Sequence, residues 1–345
     1  MRKIQDYIVK DKEIFIGLED SKKTWYLCVC SEGMIIHEIS IPVSYKNLRN
    51  YILKRYPGCQ VNVIYEAGFN GFWLHDLLTK DGIECIVTPP NKVTEEKSNK
   101  VKTDRIDAKR LSKILENSDY KRCFVPDKQL REDRQISRTL IAVQKDIRRT
   151  KCRIQMFFHF HGLHNMIEKW TDTTYQRVRS FSLGPSLELS LKVMLDHLDF
   201  LKDCQKQLKR SLKELSKKER YATVFKHFKS APGVGWVSAI RFVLEWSADF
   251  SRFKRAKSFS GYLGLIPGEC STGEKVRRGH ITAQSNNFVR AWLIQCSWTA
   301  IKKDPVLLQK FQDVRNNSGS KKKAIVAVAR KLSARLWHMA VPDED

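Results

Sequence analysis

The sequence predicts a mixed α/β domain at its N-terminal end and long helices after it. Three β-rich runs lie between residues 13 and 45, separated by the turn signals Asp-Ser-Lys-Lys and Ser-Glu-Gly. Beyond Pro126 the apolar residues recur at spacings of three, four or seven, which is the period of amphipathic helices. These two patterns divide the chain into a sheet-containing part and a helical part.

The elements that follow the three runs alternate between helix and strand. A helix around 46–55 precedes the strand VNVIYEA at 61–67, and the helix in GFWLHDLLTKDG precedes the strand IECIVTP. A further helix carries DRIDAKRLSKIL. Strands that pass into such an alternation predict a mixed sheet covered by helices, as in RNase H-like folds. We therefore expect an α/β RNase H-like domain over residues 1–127.

Residues 128–222 carry two long apolar repeats. Gly184 and Pro185 separate them. The pattern predicts a helical hairpin or coiled coil, and spacing alone does not distinguish an internal bundle from a dimer contact. The repeats consist of Ile136, Leu140, Val143, Ile147, Ile154 and Phe157, and of Leu187, Leu191, Met194, Leu198, Leu201, Leu208, Leu212 and Leu215.

Residues 223–345 predict a mainly helical domain that contains a glycine turn. In FKSAPGVGWVSAIRFVLEW, Gly233 and Gly235 lie between two apolar runs, as in a helix-hairpin-helix segment. The N–H groups that begin the second helix would then face a phosphate. A tight turn between two packed helices accounts for the same glycines, and the sequence leaves both interpretations open.

The charge of the chain indicates a polyanionic partner. Lys and Arg number 63 against 38 Asp and Glu, a net charge of +25, which argues against an ordinary enzyme of small molecules and favours nucleic acid. No apolar stretch of about 18 residues and no signal peptide is evident, so we expect no membrane association and an intracellular protein. The nine cysteines form no CxxC pair, and we expect reduced thiols.

Four acidic residues from distant segments are candidates for a Mg²⁺ site. Glu19 and Glu66 each follow an apolar strand, and Asp104 and Asp107 are three apart on a predicted helix, so they share one face. Carboxylate oxygens are the ligands that Mg²⁺ prefers. Asp20 is the alternative to Glu19, but strand alternation puts Glu19 on the side of Gly17, where we expect room for a metal ion or phosphate.

A second candidate site lies in the segment 267–293. Ser271, Thr272 and Gly273 place hydroxyls in a predicted turn, and a serine can attack phosphorus if its proton is removed. His280 is the one candidate base nearby in the sequence. Basic residues here and around Asp104 are candidates for nucleic-acid contact, namely Lys102, Arg105, Lys275, Arg277, Arg278 and Arg290.

The ordered motifs resemble a known family nearly from end to end. Ile-Gly-Leu-Glu-Asp-Ser-Lys is followed by Tyr-Glu-Ala-Gly, Lys-Thr-Asp-Arg-Ile-Asp-Ala and Ala-Pro-Gly-Val-Gly. Tyr-Leu-Gly-Leu-Ile-Pro, Ser-Thr-Gly and Gly-His-Ile-Thr come next. This order is similar to that of the DEDD transposases of the IS110 family of insertion sequences.

The resemblance implies a fold and an activity. It implies a RuvC-like nuclease domain that holds Mg²⁺, a coiled-coil segment, and a C-terminal transposase domain with a nucleophilic serine. By motif, the acidic tetrad falls on Glu19, Glu66, Asp104 and Asp107, and the serine on Ser271. Relatives usually have Asp where Glu19 stands, and many place Ser directly before Gly, where this chain has Thr272. Thr272 is therefore the alternative nucleophile, and we favour Ser271 because its primary alcohol is less hindered.

The resemblance also implies partners. Family members act as recombinases directed by a structured non-coding RNA, the bridge RNA, which pairs with donor and target DNA. We expect a homo-oligomer, a dimer or tetramer, in the cytoplasm of a prokaryotic cell and associated with the nucleoid. The rival hypotheses are a two-metal junction-resolving nuclease and a non-catalytic nucleic-acid-binding protein. Four converging carboxylates argue against the latter, because they weaken phosphate binding unless a metal neutralises them.

Overall fold

The structure is a computed structural model that describes residues 12–90, 103–246, 250, 252–269, 278–282 and 285–341. The chain forms two compact units, Met1–Val125 and Pro126–Asp345.

The first unit is built on a five-stranded mixed sheet. Its strands are β1 (Glu13–Asp20), β2 (Thr24–Ser31), β3 (Met34–Pro42), β4 (Gln60–Glu66) and β5 (Glu84–Thr88). They lie in the order β3-β2-β1-β4-β5. The pairs β1–β2 and β2–β3 are antiparallel, whereas β1–β4 and β4–β5 are parallel. The expected mixed sheet at the N-terminal end is confirmed, and it is compatible with a RuvC-like domain.

Helices cover both faces of this sheet. The helices are α1 (Tyr45–Arg55), α2 (Trp73–Lys80) and α3 (Asp104–Glu116). Leu48 of α1 and Leu74 of α2 share one buried cluster with Ile14, Ile16 and Leu18 of β1. On the opposite face, α3 packs its residues Leu111 and Leu115 against Ile64 and Ile86. The sheet is therefore the middle of three layers, with α3 alone on one side among the described residues.

The second unit begins with two long helices. They are α4 (Lys128–Phe160) and α6 (Pro185–Leu215), with the short α5 (Asp172–Arg179) and a 3₁₀ turn at His164–Met166 between them. The C-terminal half of α4 packs against the N-terminal half of α6 through a buried apolar cluster, which includes Ile154, Phe158, Leu191, Leu195 and Leu198. The predicted helical segment is thus present; a contact with a second copy stays a prediction.

The rest of the second unit is mainly helical with one small hairpin. Its elements are α7 (Glu219–Ser230), α8 (Trp236–Trp246), α9 (Ala256–Tyr262), β6 (Pro267–Glu269), β7 (Arg278–Ile281), α10 (Asn287–Ala300), α11 (Pro305–Ser318) and α12 (Lys321–Ala340). Strands β6 and β7 pair antiparallel. The core contains a cluster of aromatic rings, in which Phe242 stacks on Trp246 at 4.4 Å between ring centroids.

The N-terminal half of α4 belongs to this same core. Leu130 and Leu140 lie in one buried cluster with Leu212, Tyr221 and Phe228. The expected boundary between residues 222 and 223 falls inside α7, which continues through it without a break. The clearest division of the chain therefore lies near residue 125, close to the end of the expected first domain at 127.

Two further expectations concern cysteines and membranes. Every cysteine among the described residues is a free thiol, as expected, and Cys270 lies outside those residues. Within the described ranges, no helix combines the length and the apolar character that crossing a membrane requires.

Candidate active site

Two of the predicted acids lie side by side at the carboxyl ends of parallel strands. Leu18 of β1 pairs with Tyr65 of β4, and Glu19 and Glu66 are the residues that follow. Side chains alternate along a strand, so Glu19 shares the face of Gly17, and Glu66 shares the face of Ile64. Glu19 and Glu66 therefore lie on the face of the sheet that α3 covers, because Gly17 abuts the backbone of α3 and Ile64 packs on Leu111.

Asp107 of α3 lies at the same end of the sheet. Its side chain is buried, with 5% of the residue exposed. The Nη2 atom of Arg110 lies 3.2 Å from Asp107 Oδ1 and 3.7 Å from Glu66 Oε1. One guanidinium therefore bridges a carboxylate of the helix and a carboxylate of the sheet, which places these two acids within a few ångströms of a common point.

Asp104 occupies the first turn of α3 and is exposed. Thr103 caps the N-terminus of this helix, and its hydroxyl accepts a hydrogen bond from the N–H of Ile106 at 3.3 Å. Asp104 and Asp107 are one helical turn apart and share a face of α3. Throughout the described ranges, however, no three His, Cys, Asp or Glu side chains lie close enough together to hold a metal ion.

Two carboxylates of this corner, Glu66 and Asp107, have the chemistry of ligands for a hard divalent cation, and Arg110 competes for them. Carboxylate oxygens suit such an ion, and Arg110 supplies positive charge to two of them. Two buried polar atoms here have no hydrogen-bond partner among the described residues, Arg110 Nε and Thr88 Oγ1. Thr88 pairs directly with Glu66 across β4 and β5. Of these two atoms, Arg110 Nε can only donate a hydrogen bond, whereas Thr88 Oγ1 is an oxygen that can also accept one or contact a cation.

Asp20 lies on the other face of the sheet from α3. Its carboxylate accepts hydrogen bonds from Trp25 Nε1, at 3.2 Å, and from the Asn70 side-chain amide. Burial raises the pKa of Asp20, and these two hydrogen bonds oppose that rise. The Asp20 carboxylate is thus held by Trp25 and Asn70 on the face of the sheet opposite to α3 and Asp107.

The expectation that Gly17 leaves room for a metal ion or phosphate is wrong. A Cβ atom at Gly17 would lie 2.2 Å from the carbonyl oxygen of Ala108 and 2.4 Å from the backbone nitrogen of Ser112. The backbone of α3 fills the space that a side chain at Gly17 would occupy. Gly17 therefore positions the helix that carries Asp107 and does not contact the reacting groups.

Lys102 and Arg105 are the two residues near Asp104 that are predicted to contact nucleic acid, and the structure describes only Arg105. Lys102 lies outside the described residues. Arg105 donates two hydrogen bonds to Glu38 of β3, at 3.1 and 2.7 Å, and Lys109 lies 3.2 Å from the same carboxylate. The Arg105 guanidinium is therefore engaged with a carboxylate of its own unit, which lowers its availability for a phosphate.

The glycines of the predicted helix-hairpin-helix lie in the turn between α7 and α8. Gly233 has a φ of +77°, and a Cβ there would come 2.3 Å from the carbonyl oxygen of Cys296 and 2.5 Å from the nitrogen of Ala300 in α10. Close packing on α10 accounts for Gly233 without a nucleic acid. Gly235 has open space around it, and its carbonyl accepts the hydrogen bond of the Ala239 N–H at 2.9 Å. A phosphate contact at Gly235 stays a prediction.

The second candidate site surrounds the β6–β7 hairpin. Ser271, Thr272, Lys275 and Arg277 lie between the two strands and outside the described residues, and of Arg278 the structure describes the backbone at the start of β7. Arg290 of α10 faces this hairpin, as predicted. Its Nη1 donates to the carbonyls of Gly264, at 3.2 Å, and Thr282, at 2.7 Å, and its Nη2 donates to Asn287 Oδ1. Through these bonds Arg290 holds the backbone at both ends of the hairpin. Its guanidinium is therefore less available to contact DNA than predicted.

Sequence reasoning misses two functional candidates. One is Arg110, which lies three residues after Asp107 and is detectable from its helical spacing. The other is a set of Lys and Arg side chains that line a groove next to the hairpin. The sequence shows only a basic run at the start of α12, because residues from several elements complete the groove.

Comparison with known proteins gives two matches to family models. Residues 16–161 match a transposase model of the DEDD type of IS110, and residues 226–312 match the model described as Transposase IS116/IS110/IS902 family. The first match contains all four predicted acids, and the second contains Ser271 and Arg290.

The chain belongs to the IS110 family of transposases. It is a DNA transposase, and the DEDD-type domain implies the use of a divalent metal ion. The resemblance drawn from the sequence motifs is therefore confirmed.

Relatives of this IS110-family transposase carry matching names. "Putative transposase y4qE" of Sinorhizobium fredii is 27% identical over 86% of this chain and 73% of its own length. "Putative transposase y4rJ" of the same organism is 28% identical over 94% of this chain and 91% of its own length. The transposase for insertion sequence element IS1533 of Leptospira borgpetersenii is 21% identical over 68% of this chain and 70% of its own length.

Proposed function

We propose that this transposase is an RNA-guided DNA recombinase that cuts and joins strands with a serine nucleophile and an acidic Mg²⁺ site. The observation that carries the proposal is the placement of three acids from distant segments. Glu19, Glu66 and Asp107 lie at one end of the sheet on the face that α3 covers. A phosphoryl-transfer site needs acids from distant segments at one place, and their position at one end of the sheet supports the proposal, although no three of these side chains lie close enough to share an ion among the described residues.

The metal ligands in this proposal are Glu19, Glu66, Asp107 and, from the exposed turn of α3, Asp104. When bound, Mg²⁺ would neutralise charge on the phosphate and on the leaving oxygen. Arg110 lies between Glu66 and Asp107 and would compete with the ion for their oxygens. The carboxylates provide hard oxygen donors, which Mg²⁺ prefers to the softer ligands that select transition metals.

Ser271 is the nucleophile in this proposal. Its Oγ forms a bond to phosphorus while one ester bond of the DNA backbone breaks, so that the DNA is joined to the protein and one DNA end carries a hydroxyl. The serine proton leaves to a base, and the leaving oxygen gains a proton. Attack by a DNA hydroxyl on the serine ester reverses the step and joins strands. Since one phosphoester replaces another at each step, no external energy source is needed.

The partners of the proposed recombinase follow from charge and from the family resemblance. A net charge of +25 suits the donor DNA, the target DNA and a structured bridge RNA that pairs with both. We propose a homo-oligomer, a dimer or tetramer, that acts at the nucleoid of a prokaryotic cell. RNA that copurifies with the full-length protein and contains segments complementary to the element's target supports the guide; its absence contradicts the guide.

The serine is tested by trapping the covalent adduct. Full-length protein with its copurified RNA is incubated with labelled DNA and Mg²⁺, and the mixture is separated on a denaturing gel. We expect a DNA-linked protein band that Ser271→Ala abolishes and that Thr272→Val, the matched control, retains. An adduct that persists in Ser271→Ala contradicts the assignment. Free cut ends without any adduct would favour the two-metal junction-resolving nuclease, which uses water.

A further inference from the structure

A basic groove runs along one face of α12 beside the β6–β7 hairpin. It has a volume of about 820 Å³. Val326 and Ala327 of α12 and Leu265 form part of its floor, and Pro267 of β6 and Ile281 of β7 line the side next to the hairpin. The groove lies wholly within the second unit.

Six cationic side chains surround this floor. They come from α9, α11 and α12, and are Lys257, Lys310, Lys322, Lys323, Arg330 and Lys331. The described lining of the groove contains no acidic residue. Within the described ranges, none of these six side chains forms an ion pair. Among the described residues, the charge here thus has no acidic partner, unlike that of Arg105 or Arg335, which pair with Glu38 and Asp304.

The cations of α12 are spaced along the groove. Lys322 and Lys323 lie in the first turn of α12, Arg330 and Lys331 follow eight residues later, and all four line the groove. At 1.5 Å per residue the two pairs are about 12 Å apart. That distance corresponds to about three to four nucleotides of one strand at 3.4 Å each in a B-form duplex. Apolar side chains lie between them, where sugars and base faces can pack.

We infer that this groove binds a stretch of DNA strand next to the phosphate that Ser271 attacks. This inference rests on the proposed function, because it uses the position of Ser271 between β6 and β7. The strand on either side of the attacked phosphate has to leave over the protein surface close to the hairpin. The groove lies beside the hairpin, and among its described residues it is basic with an apolar lining. A positively charged groove that follows the backbone is one of the features of sites for single strands.

His280 has a place in this inference. It lies on β7 and lines the groove, so it faces the proposed strand. The sequence makes His280 a candidate base for the serine. Its position in the groove places it beside the proposed strand.

The inference is tested by the salt dependence of DNA binding. A labelled single-stranded DNA of about 16 nucleotides is titrated with full-length Ser271→Ala protein, so that covalent capture does not contribute. The groove variant replaces four cations by Gln, at Lys322, Lys323, Arg330 and Lys331. Each phosphate contact contributes about 0.7 to the slope of log K against log salt concentration for a single strand. We expect the slope of the groove variant to be shallower by about 3.

The matched control loses the same charge from another surface of the second unit. Its four substitutions to Gln are at exposed residues of or near α6, namely Lys169, Lys192, Arg210 and Lys213. We expect the control to keep the wild-type slope. An equal change in both variants, or an unchanged slope in the groove variant, overturns the inference. DNA binding is measured with Ser271→Ala protein, whereas adduct formation is measured with Ser271 intact. The two experiments therefore test the groove and the serine chemistry independently.

A photo-crosslink locates the occupant without removing any charge. A benzophenone amino acid replaces Ala327, on the groove floor, and the full-length protein is irradiated with DNA and its copurified RNA. We expect crosslinks to DNA within a few nucleotides of the cleavage position. Crosslinks to RNA alone, or none to nucleic acid, contradict a DNA strand in this groove.

Discussion

Gly17 of β1 lies in direct contact with the backbone of α3 at Ala108. A Cβ atom at Gly17 would approach the Ala108 carbonyl oxygen to 2.2 Å. The helix and the strand thus meet with no side chain between them. Asp107 precedes Ala108, and Glu19 lies two residues beyond Gly17, so this contact sets how far apart the two carboxylates lie.

Replacing Gly17 tests that contact. Gly17→Ala forces α3 away from β1, and we expect it to lower the free energy of unfolding by about 3 kcal/mol and to abolish DNA cleavage although every acid is retained. Thermal unfolding and a cleavage assay measure the two effects. Gly68→Ala is the matched control, because a Cβ there meets nothing closer than 3.8 Å and no positive φ strains it. Wild-type stability and cleavage in Gly17→Ala would refute this role.

Removal of the competing cation is expected to strengthen metal binding. In Arg110→Met, Glu66 and Asp107 lose their shared guanidinium, and we expect the affinity for Mn²⁺ to rise by about tenfold or more. Electron paramagnetic resonance of free Mn²⁺ gives the dissociation constant. Arg105→Met removes the same charge from the same helix, but its partner is Glu38, so this control is expected to bind Mn²⁺ as the wild type does. Equal affinities in the two variants would remove Arg110 from the metal site.

The faces of β1 distinguish Glu19 from Asp20. Glu19→Gln removes a carboxylate from the face of α3, and we expect cleavage to fall by at least about a hundredfold, as for loss of a group that stabilises the transition state. Asp20→Asn keeps an acceptor for Trp25 and retains cleavage within about threefold. Single-turnover cleavage rates measure both. The reverse order of effects would make Asp20 the metal ligand.

The cap of α4 predicts a pH dependence of stability. Asp127 accepts hydrogen bonds from Arg220 and from the Leu130 N–H, and the Arg220 guanidinium lowers its pKa to about 2. A carboxylate whose pKa is lowered by folding stabilises the protein above its unfolded pKa of about 3.9, and this contribution is lost as pH falls toward 2.

Asp127→Asn isolates this charge, because Asn is as good a helix cap as Asp. At pH 7 we expect a loss below about 1 kcal/mol, since the ion pair is half exposed and screened by solvent. The difference between variant and wild type should shrink toward zero as pH falls from about 4 to about 2. Unfolding in urea across that range measures it; a difference that is independent of pH would show that the charge contributes nothing.

A buried arginine joins α4 to the end of α8. Arg134 donates to the carbonyls of Leu244 and Glu245, at 2.5 and 3.0 Å, where α8 leaves carbonyls without helical partners. We expect Arg134→Met to lower the free energy of unfolding by about 3 kcal/mol, because two buried carbonyls lose charged donors. Arg149→Met is the control, since Arg149 is exposed on α4 and its ion pair with Asp146 lies at the surface. Chemical unfolding compares the two, and similar losses would contradict the role of Arg134.

The sheet is predictable from the sequence because its signals are local. Turn residues separate β1, β2 and β3, and the alternation along β1 assigns Glu19 and Asp20 to opposite faces. The helices that cover each face, however, come from distant parts of the sequence. The sequence favours a ligand beside Gly17 because a missing side chain looks the same whether a metal ion or the backbone of Ala108 fills the space.

The contacts of the basic residues are harder to predict, because a positive charge can pair with a carboxylate of the protein or with a phosphate. Arg105 is predicted to contact nucleic acid and pairs with Glu38 instead, while Arg290 holds backbone carbonyls. The groove cations Lys257 and Lys310 come from helices other than α12, so no single stretch of sequence displays them as one surface. Gly233 similarly contacts α10, more than 60 residues further along the chain.

The most direct test of the acidic site replaces one oxygen of the attacked phosphate by sulfur. Mg²⁺ binds sulfur poorly, whereas the softer Mn²⁺ accepts it. We predict that cleavage of the sulfur-substituted DNA is slow in Mg²⁺, is restored by Mn²⁺, and is not restored in Asp107→Asn. Equal cleavage of both substrates in Mg²⁺, or restoration by Mn²⁺ in Asp107→Asn, would contradict a metal held by Glu19, Glu66 and Asp107 at the phosphate.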